Sequence, residues 1–194
     1  MTDKRGTHMP TWNSRGLRGS TLEELINQSN DRYREKKLAL IQKIPTPITP
    51  INMDKEHNHI TLAYFDKKST VDYIGVVQGV PVCFDAKECT ADTFPLHNIH
   101  EHQMEFMGEF EQQGGISFLI IFFSRKDEKF YVPYRHVLRF WNRMKEGGRK
   151  SFRYEELDDS YRIRTYGGVM VHYLEQLQKD LSERCLLYTS DAAD

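Results

Sequence analysis

The sequence predicts an α/β domain with a mixed central β-sheet and helices on its faces. Three observations lead there. Apolar spacing switches along the chain between helical and strand-like periods, in an order close to αβββαβββα. The run ISFLIIFF (116–123) is continuously apolar, as a strand buried on both faces would be. Gln78-Gly79 separates VDYIGVV from VPVCFDAK, the length and chemistry of a two-residue hairpin turn.

Taken in order, residues 1–19 are polar and contain Gly and Arg, and read as an arm that a partner orders. Ser20 or Thr21 caps the first helix, with Glu23 and Glu24 in its favourable first turn. Leu22, Leu25, Ile26, Tyr33, Leu40 and Ile41 predict its apolar stripe. The IPTPITP run (44–50) stops that helix and imposes extended backbone. A hairpin follows within about 48–68, with ITLAYF (60–65) as its more apolar arm. Strands are predicted at Ser69–Val77 and Val80–Lys87, then a polar loop ending in Pro95. A helix is predicted from about His97 to Gln112, closed by Gly114-Gly115. ISFLIIFF and KFYVPY are strands, and His136 to Lys145 is a helix. Residues 151–168 are irregular and charged, and VHYLEQLQKDL is a short final helix. The tail CLLYTSDAAD (185–194) matches no element and reads as non-native, which leaves one domain over 20–184.

At 194 residues, 39% hydrophobic and 28% charged, the chain suits a single globular domain with a sizeable core. No apolar run reaches membrane-spanning length, and MTDKRGTHMP lacks the apolar centre of a secretory signal. Cys83, Cys89 and Cys185 are odd in number and not in CxxC spacing, which argues for a reducing compartment and a cytoplasmic protein. The net charge of −1 does not announce a nucleic-acid binder. Its distribution says more. Residues 1–50 and 125–164 are net basic, while 51–124 hold eleven acids against four cations. An acidic centre between basic segments suits a cation site flanked by anion-binding arms, although solvated surface faces give the same pattern.

With Gln78-Gly79 as the turn, Asp72 falls opposite Asp85 and Thr70 opposite Lys87, all on one face. Tyr73 opposite Phe84 and Val77 opposite Val80 make the other face a packing surface. Opposed aspartates repel and need a cation. Lys87 is one candidate, and a divalent metal is the stronger; oxygen ligands favour Mg²⁺ or Mn²⁺ over zinc. In the following helix Ile99, Phe106, Met107 and Phe110 define a core face, and Gln103 falls on it. A buried amide needs partners, either backbone or a metal whose ligand its carbonyl oxygen would be.

The spaced Asp…Asp-x-Lys pattern is the signature of PD-(D/E)xK nucleases. In that chemistry carboxylates hold a metal that polarises the scissile phosphate and activates a water. The lysine orients or deprotonates the water and offsets transition-state charge. From the motif alone, an exposed Asp–Lys ion pair on a surface hairpin is the better explanation of the pattern.

Longer stretches narrow the choice: RGSTLEELINQSNDRY (18–33), ALIQKIPTPI (39–48), AYFDKKSTVDYIGVVQG (63–79), FDAKECT (84–90), TFPLHNIHEHQMEFM (93–107) and GGISFLIIFF (114–123). In order and spacing the chain resembles the RecU family of Holliday junction resolvases. That resemblance implies a restriction-endonuclease-like fold with the hairpin at 48–68 as stalk. It implies a magnesium site of Thr70, Asp72, Asp85 and Gln103, Mn²⁺ substituting, and Lys87 as transition-state stabiliser, with Asp72, Asp85 and Lys87 the catalytic set. It further implies a homodimer that nicks four-way junction DNA symmetrically in recombination and repair, with the recombinase as a further partner and no membrane.

Glu23 matches a carboxylate that related nucleases bring near the metal, and equally suits a helix N-terminus. Arg15, Arg18, Lys43, Arg135, Arg139 and Arg143 are candidate phosphate contacts, or solvated surface. Phe65 lies on the stalk, where it would stack on opened base pairs or serve as ordinary core. His97, His100 and His102 lack zinc spacing. Two departures from the family stand out. Asp85 replaces the usual Glu of FEAK, and Ile44 replaces the second Lys of KKPTP while Lys43 remains. Two rival readings share these residues: a duplex-cleaving nuclease of the same fold, and a junction-binding module with lost cleavage.

Overall fold

Thr21 opens the first helix, α1 (Leu22–Glu35), with both halves of a capping box. Its hydroxyl accepts from the Glu24 N–H, and Glu24 Oε2 accepts from the Thr21 N–H. The computed structural model describes residues 21–191 apart from 55, 58 and 66–69, and no side chain at 65 or 186–191. Arg15, Arg18, the arm at 1–19, Ser69 and the side chain of Phe65 therefore lie outside the described residues.

After α1 come β1 (Ala39–Lys43), β2 (Ile48–Asp54), β3 (His59–Phe65), β4 (Tyr73–Val77) and β5 (Val80–Cys89). Next are β6 (Thr93–Pro95), α2 (Glu101–Gln112), β7 (Ile116–Phe123), β8 (Glu128–Pro133) and α3 (Tyr134–Lys145). Short β9 (Ser151–Arg153) and β10 (Arg162–Ile163) precede α4 (Leu174–Asp191). Six strands form one mixed sheet in the order β1-β4-β5-β7-β8-β10, and only β5 and β7 run parallel. A parallel pair needs a crossover, and α2 lies in it. The mixed sheet flanked by helices is the architecture the sequence predicts.

Alternation along β5 sorts two cores. Val82, Phe84 and Ala86 face α1 and α4, whereas Cys83 and Cys89 face α2 and α3. On the α1/α4 side, rings stack across neighbouring strands: Tyr73 on Phe84 at 4.7 Å, Phe84 on Phe118 at 4.7 Å, Phe118 on Tyr131 at 4.2 Å and Tyr131 on Tyr161 at 5.6 Å. The β4–β5 turn is the predicted one. Gln78 and Gly79 both take positive φ (46° and 91°), as a type I′ turn requires.

Several elements differ from the sequence expectation, among them residues 151–168, expected to be irregular, which supply β9 and the sheet-edge strand β10. The first helix does not reach Leu40 and Ile41. Lys36 caps it, Lys37 turns with φ 55°, and the Leu38 N–H returns to Tyr33 O. The residues that follow become edge strand β1, paired with β4 so closely that a Cβ on Gly75 would lie 2.2 Å from Leu40 O. The second helix begins at Glu101, because Leu96–Asn98 form a 3-10 turn and Ile99 is extended. Its buried side is Gln103, Met104 and Met107, with Phe106 and Phe110 only partly buried. The loop before Pro95 contains β6, which pairs with β9. Finally, α4 continues to Asp191, through residues expected to lie outside the fold.

The β2–β3 hairpin forms its own two-stranded sheet and exposes Ile48, Ile51, Met53, Ile60, Leu62 and Tyr64. No helix among the described residues is long and apolar enough to cross a membrane.

Candidate active site

The β4–β5 ladder ends at Tyr73 opposite Phe84, and the next pair up is Asp72 and Asp85. There the side chains take over from the backbone. The Asp72 N–H donates to Asp85 Oδ1 at 3.1 Å, and the Ala86 N–H donates to Asp72 Oδ2 at 3.0 Å. Each carboxylate thus accepts an amide of the facing strand, which holds the two acids together despite like charge. Tyr73 and Phe84, their chain neighbours, are locked on the opposite face by their ring stack, and the Tyr73 hydroxyl donates to Asn27 Oδ1 of α1 at 3.0 Å.

Asp85 is completely buried (0% exposed). Gln103 Nε2 donates to its Oδ1 at 3.0 Å, and the Lys87 ammonium lies 2.5 Å from Oδ2. That second contact is an ion pair; no other donor among the described residues reaches Oδ2. Burial pushes the Asp85 carboxyl up to about 7, with the charge of Asp72 adding to the rise and Lys87 opposing it. Burial likewise raises the Tyr73 phenol, helped by the charges of Glu23, Asp72 and Asp85, so Glu23 shares this electrostatic neighbourhood.

The structure therefore brings Asp72, Asp85, Lys87 and Gln103 into one pocket. Thr70 sits half-buried ahead of β4, and no hydrogen bond or ion pair ties it to these four among the described residues. Gln103 arrives in an unexpected orientation. Its carbonyl oxygen accepts the His100 N–H at 3.0 Å, as the reciprocal half of a helix cap, so it presents its amide nitrogen to Asp85. To offer oxygen to a cation the amide must turn and give up both bonds.

The donor set suits a hard divalent cation. Two carboxylates stand side by side with one ammonium, which pairs with Asp85, so the cluster is net negative once both acids are ionised, and Mg²⁺ is commonly held by one or two carboxylates while keeping waters. No group of three or more His, Cys, Asp or Glu suitable for a metal occurs among the described residues, so a softer ion has no nitrogen or sulfur cluster here.

The other sequence candidates are placed as follows. Glu23 and Lys43 are paired with each other, each nearly half exposed. Arg135 is tied into a partly buried network on α4, where its guanidinium meets Asp180 and Glu183, the latter at 2.5 Å, and also donates to the Tyr161 hydroxyl at 2.8 Å. In the same network Tyr131 donates to the fully buried Asp180, and Arg184 bridges Asp180 to Glu111. Arg143 donates to Glu156 at 2.5 Å and Ser151 O at 2.8 Å. Arg139 is exposed and lies over the Phe140 ring. Sequence reasoning missed Asn27, which anchors Tyr73, and Glu88, which accepts the Leu22 N–H at 2.7 Å and ties β5 to the start of α1. Neither carries a local motif; for Glu88 the signal is an acid alternating with Lys87 on a buried strand.

Residues 17–179 match the model of the family described as Recombination protein U. The chain is 39% identical over 169 residues to the "Holliday junction resolvase RecU" of Pediococcus pentosaceus, covering 84% of each protein. It is 42% identical over 148 residues to the protein of the same name from Leuconostoc mesenteroides, covering 74% of this chain and 72% of the relative. Against the structure of Hjc, a Holliday junction resolvase from Archaeoglobus fulgidus, it aligns at 10% identity with a TM-score of 0.40, over 78% of this chain and 96% of that one.

Proposed function

The chain belongs to the RecU family, and from that premise we propose that it is a divalent-metal-dependent endonuclease that resolves four-way DNA junctions. The observation that carries this reading is the pair Asp72 and Asp85, held side by side with Lys87 on Oδ2 of the buried acid. An ion pair on an exposed hairpin would not need Asp85 at zero exposure. Asp72, Asp85 and, with its amide turned, Gln103 would hold Mg²⁺, Mn²⁺ substituting, and Thr70 stands next in the chain to complete the set. The cation would supply Lewis acidity at the scissile phosphate.

This chain's own groups do the rest. Asp72 and Asp85 are aimed by backbone amides rather than by flexible partners, so their geometry is set before substrate arrives. The Lys87 ammonium, 20% exposed, is close enough to Asp85 to orient a water and to offset charge as the phosphorane forms. Glu23 is an accessory acid at the rim, released when Lys43 exchanges it for a phosphate. The β2–β3 hairpin, with its exposed apolar side chains, enters the junction centre. A homodimer would give one pocket per cleaved strand of a two-fold substrate. Recombination and repair in the cytoplasm, alongside the recombinase, follow from such a substrate.

The test is cleavage of an immobile four-way junction and a linear duplex of the same sequence, with Mg²⁺, with Ca²⁺ and with EDTA. Symmetric nicks in opposing strands of the junction, requiring Mg²⁺, are expected. Equal cutting of the duplex would favour a duplex nuclease, and junction binding in Ca²⁺ without cutting in either Mg²⁺ or Mn²⁺ would leave a binding module.

A further inference from the structure

Between Arg139 and Arg153 the chain carries six cations and one acid, Glu146. Arg139 and Arg143 both lie over the Phe140 ring, 5.2 and 5.1 Å from its centre, and with Glu156 they line a hollow of about 350 Å³. Glu156 holds the corner together. It accepts from Arg143 at 2.5 Å, from Arg149 at 3.3 Å and from the Arg153 N–H at 2.7 Å. Arg143 holds its carboxyl below the usual range, so it stays ionised. Lys150 is exposed and makes no ion pair among the described residues.

This corner is fastened to the site already described. Lys145 pairs with Glu101 at 3.0 Å, and Lys150 O accepts the Leu96 N–H at 3.0 Å. Glu101 opens α2, and two residues on Gln103 meets Asp85. The cations and the carboxylates therefore share one face of the sheet.

We propose that the α3–β9 corner, through Arg139, Arg143, Arg149 and Lys150, clamps the phosphates of the duplex arm beside the cleaved strand, and that Glu156 is its built-in brake. The proposal deepens the nuclease reading and takes its polyanion from it. Guanidinium forks match phosphate geometry, and Glu156 stays within reach of solvent, so phosphates of the bound backbone compete with it for Arg143 and Arg149. Before DNA arrives, Glu156 keeps Arg149 ordered and holds Arg143 where it lies over Phe140. In complex, the same forks turn to the backbone.

Salt dependence of binding reads this directly, because each phosphate contact contributes about −0.9 to the slope of log affinity against log salt. A fluorescent linear duplex and a four-way junction would be titrated in EDTA across about 50 to 200 mM salt. Replacing both Arg149→Gln and Lys150→Gln should weaken binding to both DNAs and flatten the slope by about 2. Glu156→Gln, which keeps an acceptor for the Arg153 N–H but removes the competing charge, should tighten binding several-fold. Arg164→Gln, in a groove on the opposite face of the sheet, should leave the slope unchanged. An unchanged slope in the double variant, or weaker binding by a Glu156→Gln protein with a wild-type melting temperature, overturns the clamp. Should Glu156→Gln fail to fold, the double variant decides alone. A wild type with no preference for junction over duplex overturns the junction-selective reading instead, and leaves the linear-duplex slopes to judge the clamp.

Discussion

Replacing Asp72 by Asn should make the metal-free protein more stable while abolishing cleavage. Asp72 and Asp85 are opposed at the ladder end, where Cβ atoms stand about 5 Å apart. At an effective dielectric of about 20, two such charges repel by about 3 kcal/mol. Lys87 offsets part of that, so losing the charge at 72 should relieve about 1–2 kcal/mol. Asn keeps a carbonyl oxygen for the Ala86 N–H, and the Asp72 N–H to Asp85 is backbone and survives. In EDTA at pH 8 the variant should therefore melt roughly 2–8 °C higher than wild type. The pH dependence has a definite sign. Asp85 is raised from 3.8 to about 7 in the fold, so its contribution is fully present below about pH 4 and is lost as pH rises through about 7. At pH 5 the Asp85 carboxyl of the wild type is mostly protonated, so the repulsion is already relieved and the variant's advantage should shrink. Added Mg²⁺ should stabilise the wild type and not the variant. Thermal melts at pH 5 and pH 8, with and without Mg²⁺, give all four comparisons, and junction binding in Ca²⁺ should be retained. A variant less stable than wild type at pH 8 in EDTA, or one whose advantage is undiminished at pH 5, would refute the repulsion.

Lys87→Met should lower single-turnover junction cleavage by about 10²-fold or more at saturating DNA and leave junction affinity nearly unchanged. Asp85→Glu pushes an extra methylene into a fully buried site where Gln103 stands at 3.0 Å; urea unfolding in EDTA should show a loss of about 1–3 kcal/mol. Restoring the family's usual arm should nonetheless preserve Mg²⁺-supported cleavage, and wild type should gain more than the Glu variant from Mn²⁺, which tolerates looser geometry than Mg²⁺. Asp180→Ala strips the acceptor from Tyr131 and a shared anion from Arg135 and Arg184, and should cost about 3–5 kcal/mol in the same unfolding assay.

The pocket was legible because its register is local. A two-residue turn with Gly at its second position dictates which residues face each other, and the aspartates needed no knowledge of the rest of the chain. Gln103 was found by helical spacing; of the expected face Met107 is buried, Phe106 and Phe110 are only partly so, and Met104 takes their place. β1 was hidden because the switch from helix to strand at Lys36–Leu38 has neither Gly nor Pro, and because its partner β4 lies over thirty residues away. The commitment of Arg135 was likewise unreadable. Its anions stand on α4, some 45 residues on, and look like ordinary surface acids until that helix packs against β8.

The two ways in which β5 is paired also bear on the order of assembly in time. Its hairpin with β4 closes over two residues and forms quickly, with both aspartates still in water. Its parallel partner β7 is joined only when the segment carrying α2 has crossed over, a slower closure that delivers Gln103 and seals Asp85 from solvent. The electrostatic cost of the pocket thus falls at that second closure rather than at the hairpin. A cation seated there acts on a contact absent from the early folding nucleus, so it should lengthen the lifetime of the folded chain without hastening its formation.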